Sequence, residues 1–119
     1  MIKKSERTVE AYKTAGAYIR MYRQVYSLGF KYLQPVMPKT LWDKWHRIDY
    51  HLSGIQDMLE RRLFSEHQND ELPGENYIRV FYGDFSPRDE FEAEIIQQAL
   101  GIIENELVPL LNKPKDVEE

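Results

Sequence analysis

From Ser5 to Leu33 the apolar residues fall on two interleaved seven-residue patterns: Tyr12, Ala15, Ile19, Tyr22, Tyr26, Gly29, Leu33, and Ala11, Thr14, Tyr18, Met21, Val25, Leu28, Tyr32. Both alternate spacings of three and four, so they predict one helix with an unusually wide apolar face. The polar strip left over is narrow: Glu6, Glu10, Lys13, Arg20, Arg23, Gln24, Ser27 and Lys31. A continuous helix over this stretch would be about 43 Å long. That exceeds the diameter of most globules of 119 residues. Such a helix must bend or end near Gly29, or its surplus surface must meet another chain; the second is preferred.

Gln34-Pro35-Val36-Met37-Pro38 stops this helix, because two prolines remove donors and push the residues before them into extended backbone. A second helix follows, with Thr40 and Asp43 at capping-box spacing and an apolar stripe of Leu41, Trp45, Ile48, Leu52, Ile55, Leu59 and Leu63. The short connection implies an antiparallel helical hairpin. Residues 65–76 carry four acids and a Pro-Gly signal, which predicts an exposed loop. Tyr77-Ile-Arg-Val-Phe-Tyr82 favours a strand by composition, but no second strand is visible, so a short helix or an extended packing segment is preferred. The last long helix is expected to start with Ser86 as N-cap and Pro87 at the first helical position, and to kink or end at Pro109. The fold class expected is all-α: a three- or four-helix bundle, with an irregular aromatic segment before the last long helix. Residues 1–112 form the single domain, and 113–119 a flexible charged tail.

Composition narrows the function. Hydrophobic residues are 42% and charged residues 30%, the balance of a soluble globular protein. With no Cys, disulfide scaffolds, thiolate metal sites and cysteine nucleophiles are excluded. The N-terminus lacks the apolar run of a secretory signal, and no stretch approaches the roughly 20 apolar residues that span a bilayer, so a cytoplasmic protein without membrane contact is expected. The formal charge of -4 divides unevenly. Residues 1–34 hold seven basic and two acidic side chains, residues 35–67 five of each, and residues 68–119 four basic and thirteen acidic. Either the basic strip of the first helix lies against the acidic last helix, or the two mark separate partner surfaces.

Five of the eight tyrosines, Tyr12, Tyr18, Tyr22, Tyr26 and Tyr32, lie on the first helix among Lys13, Arg20, Arg23 and Lys31. Tyrosines beside cations suit a protein interface or an anionic partner, and Tyr18, Arg20, Tyr22, Arg23, Tyr26 and Lys31 are the candidate binding residues. The acidic half would repel phosphates, which disfavours nucleic acid as the partner. His46, Asp49, His51 and Asp43 cluster on the second helix, where Glu92 or Glu94 could add a third metal ligand, yet no Glu-x-x-His or His-Glu-x-x-His pattern occurs and no metal or cofactor is expected. Asp49 shares the tryptophan stripe and, if buried, needs an Arg or a Tyr hydroxyl from the first helix.

Arg62-Leu-Phe-Ser-Glu-His67 resembles the Arg-x4-6-His motif of HEPN-type ribonucleases over six residues. The resemblance implies that Arg62 and His67 act on an RNA phosphate across a dimer interface; Leu63 replaces the polar residue that commonly follows the Arg. Away from the resemblance, no catalytic motif is present, and the function expected is that of a non-enzymatic interaction protein: an adaptor, inhibitor or regulator, as a homodimer. A nucleic-acid-associated regulator using the basic face of the first helix is the alternative, and the HEPN-like ribonuclease comes third.

Overall fold

The computed structural model describes residues 4–67 and 79–113. Among them the chain is all-α, with no strand. A 3-10 turn at Lys4–Glu6 leads into α1 (Val9–Leu33), a 3-10 turn at Gln34–Val36, α2 (Lys39–His67), α3 (Glu90–Ile102), a π-helical turn at Ile103–Leu107, and α4 (Val108–Leu111). Thr8 caps α1 by accepting from the Ala11 N–H. The helix does not break at Gly29. The ring of Trp45 lies against that glycine, where an added Cβ would meet it at 3.5 Å.

Several local expectations are corrected. Helix α2 starts at Lys39, and the Pro38 carbonyl accepts from the Leu41 and Trp42 N–H groups, so Thr40 lies inside the helix and is not its cap. It also runs on through Ser65, Glu66 and His67, which were expected in the loop; the rest of that loop lies outside the described residues. Arg79, Val80 and Phe81 are helical, in line with the short-helix alternative for the aromatic segment, whose residues 77 and 78 are not described. Helix α3 is capped by Asp89 rather than Ser86: the Asp89 carboxylate accepts from the Glu92 N–H at 3.0 Å while also binding Arg79, an ion pair Ser86 cannot make. Of the proposed tail only Lys113 is described.

Side-chain pairs run in opposite directions along α1 and α2. Arg7 meets Glu66, Arg23 meets Gln56 and Asp49, the Tyr26 ring stacks on Trp45 at 4.6 Å, and Phe30 meets Trp42 edge-on. The two helices therefore form an antiparallel hairpin. Helix α3 packs along the N-terminal half of α1, where Lys13 binds Glu94 at 2.7 Å and Thr14 approaches Gln98 at 3.4 Å. The turn at Val80 presses on α1 at Gly16, where a Cβ would sit 2.1 Å from the Val80 carbonyl oxygen. The core gathers between these elements: Tyr12, Ala17, Ile19, Leu52, Leu63, Val80, Phe81, Ile95 and Ala99.

The surface is large for the chain. Its 8626 Å² exceeds by about 1,800 Å² the area usual for a folded monomer of 14.2 kDa. The radius of gyration of 17.0 Å likewise exceeds the roughly 13–14 Å of a compact chain this long. Among the described residues α3 accompanies only the first half of α1, and the C-terminal half has α2 on one side and no described element opposite.

Candidate interaction surface

The six candidate residues on α1 separate into two groups. Arg20 is a correction: it is 1% exposed and not part of a surface strip. Its Nη1 donates to the Asp84 carbonyl at 2.6 Å, and its Nη2 to those of Arg79 at 2.6 Å and Tyr82 at 3.1 Å. Those carbonyls lie in and just after the helical turn at 79–81 and give the buried cation three acceptors. Gly83 makes the approach possible: at φ +134° it adopts a conformation costly for other residues, and a Cβ there would lie 2.5 Å from Nη1. Burial pulls the Arg20 guanidinium below its usual range, and the Glu92 carboxylate 4.0 Å away opposes that.

Glu92 is buried too. Burial pushes its carboxyl up, but hydrogen bonds from Arg79 and the nearby charge of Arg88 outweigh this and hold it below the usual carboxylate range. It is therefore an internal counter-ion and not available as the third metal ligand considered from sequence. Glu94 is held by Lys13. Among the described residues no cluster of three His, Asp or Glu side chains is placed to hold a metal ion. His46 instead lies tilted against Phe30 and Trp42.

Arg23 faces α2. Its Nη1 binds Asp49 at 2.5 Å, and its Nη2 binds Ser53 at 2.8 Å and Gln56 at 2.7 Å. Asp49 is half exposed, so the condition for its expected partner is not met, yet an α1 arginine binds it. Gln56, which the sequence reading passed over, is buried and spans two elements, accepting from Arg23 and donating to the Phe81 carbonyl. Tyr26 is also engaged, its hydroxyl donating to the Trp45 carbonyl at 2.7 Å. The basic half of the chain is in large part neutralised within the molecule.

Tyr18, Tyr22 and Lys31 remain outside, the last leaning over the Tyr32 ring at 5.5 Å. With them stand Val25, Leu28 and Tyr32, all more than half exposed. Tyr18, Val25, Leu28 and Tyr32 belong to one heptad series, and only its Met21 is buried. They form an uncovered seam along α1. Toward the N-terminal end the seam opens into a groove of about 760 Å³ between α1 and the α3–α4 limb, lined by Ala11, Ala15, Tyr18, Leu107, Leu110 and Glu106 among others.

A second hollow, of about 400 Å³, adjoins the groove across Ala11 and Ala15 and is also lined by Arg7, Tyr12, Leu59 and Arg62. At its edge Glu66 accepts from the Tyr12 hydroxyl at 2.6 Å and from Arg7 at 2.6 Å, and Arg62 approaches it at 3.5 Å. Hydrogen bonds from Arg7 and then Tyr12 hold Glu66 down at about 2. Burial, followed by the bond to Glu66, pushes Tyr12 up to about 12. His67 comes to this end as well, its Nε2 donating to the Arg7 carbonyl at 2.6 Å.

Comparison of the chain with known protein families, with characterised proteins and with solved structures finds no match. No helix among the described residues is long and apolar enough to cross a membrane.

Proposed function

We propose that this chain is a non-enzymatic interaction protein, an adaptor, inhibitor or regulator, and that it works as a homodimer. The observation that carries the reading is the uncovered seam of α1: Tyr18, Tyr22, Val25, Leu28 and Tyr32 stand in water at helical spacing. Scattered exposed apolar residues are ordinary, but a contiguous stripe on a single helix marks an interaction surface. A second copy laid on the seam would complete the bundle that the heptad pattern leads one to expect. Light scattering tests this with Val25→Glu, which places a charge at mid-seam on an exposed site and so spares the fold. The wild type is expected to run as a dimer and the variant as a monomer. A wild type that is monomeric at every concentration overturns the homodimer.

The nucleic-acid reading has less support, since two of its three cations are committed inside the molecule: Arg20 to backbone carbonyls, Arg23 to Asp49 and Gln56. The ribonuclease reading rests on Arg62 and His67, which lie at one end of α2 but engage Glu66 and the Arg7 carbonyl. RNA left intact after prolonged incubation with the wild type disposes of it.

A further inference from the structure

Resting on the homodimer reading, we infer that the partner on the α1 seam is a second copy of this chain lying antiparallel, its Tyr32 seated in the Ala11–Ala15–Leu107–Leu110 groove. Shape is the first ground. The groove at the N-terminal half of α1 is walled by the small side chains of Ala11 and Ala15, while the C-terminal end presents two projections, Tyr32 at 66% exposure and Val36 at 73%. Projection and groove are some 17 residues apart on one rigid helix, about 26 Å. Tyr32 cannot reach the groove of its own chain. A second α1 crossing in the opposite direction near Gln24 brings each Tyr32 over the other's groove, which is a closed two-fold arrangement. A parallel copy would set Tyr32 against Tyr32 and leave both grooves empty.

Charge selects the same orientation. Lys31 sits beside Tyr32, at a position flanking the heptad seam, and Glu106 lines the groove. Antiparallel pairing carries each Lys31 to the partner's Glu106, twice by symmetry. Parallel pairing would instead set each Lys31 at the end of the partner remote from Glu106, so neither charge meets its complement.

The absence of cysteine makes the test clean. Within one chain positions 31 and 106 lie roughly 20 Å apart along α1, far beyond the reach of a disulfide. A chain carrying Lys31→Cys with Glu106→Cys is expected to form a covalent dimer on mild oxidation, and Tyr32→Cys alone is not. In a charge test on these exposed sites, Lys31→Glu and Glu106→Lys each raise the dimer dissociation constant about three- to tenfold, and the combined variant restores it. A dimer that crosslinks through Tyr32→Cys, or through neither design, overturns the antiparallel arrangement and leaves the homodimer standing. A wild-type chain that stays monomeric removes both.

Discussion

At Glu66 two donors from α1, Arg7 and the Tyr12 hydroxyl, converge on one carboxylate near the end of α2 and pin the open end of the hairpin. Because the folded chain holds this group down at about 2, below its ordinary 4.5, the unfolded chain takes up a proton first as the solution is acidified. The stability Glu66 lends is therefore complete above pH 4.5 and disappears as the pH falls toward 2. Carboxyl-carbon NMR is expected to place its midpoint near 2; a midpoint near 4.5 would show that Arg7 and Tyr12 do not hold it. Glycines supply a second comparison. Gly16→Ala drives a methyl into the Val80 carbonyl and is expected to cost about 1–3 kcal/mol. Gly54→Ala meets nothing within 4 Å on exposed α2 and is expected to gain about 1 kcal/mol by helix propensity. Urea denaturation reads both, and equal effects would contradict the close contact at Gly16. Arg20 marks what the sequence could not disclose at this scale. Its spacing places it beside Lys13 on a polar strip, but carbonyls about 60 residues away, at Arg79, Tyr82 and Asp84, draw it inward.

Among the elements, the limb after Ile102 shows how a proline is accommodated. Pro109 has no N–H for the carbonyl four residues back, and its ring would strike that carbonyl in a regular helix. A kink or an end was expected at Pro109; the helical path runs on to Leu111. It inserts a π turn over Ile103–Leu107, in which the Val108 N–H reaches back to Ile103. A π turn takes up one more residue than an α turn, which returns Leu107 and Leu110 to the face shared by Ala99 and Ile102 and lets them wall the groove. Pro109→Ala is expected to keep or raise helix content by circular dichroism while turning Leu110 off the groove and weakening self-association. Unchanged association would separate the π turn from the seam. The period of α1, the hairpin and the end of α1 at Leu33 were legible because they follow from local spacing, but Gln34, expected to be extended before Pro35, stays helical at φ -50° and ψ -47°, and only Met37 is extended. The cap of α3 was not legible, since Ser86 and Asp89 are both sound caps locally and the choice is made by Arg79.

Across the described residues part of the uneven charge is met internally: Lys13 binds Glu94 and Arg20 lies near Glu92 in the acidic segment, while Arg7 and Arg23 pair with Glu66 and Asp49 of α2. Among the described residues α1 also leaves apolar surface uncovered: it is about 37 Å long, and α3 does not reach its C-terminal half. The sequence carried this surplus in its doubled heptad pattern, whereas which half is covered depends on where α3 begins and how α4 turns. Sedimentation equilibrium of the unaltered chain over a range of concentrations tests the central claim most directly. A mass twice the 14.2 kDa of the chain, held at high salt because apolar contact dominates, is the result expected. A mass of 14.2 kDa throughout would contradict it.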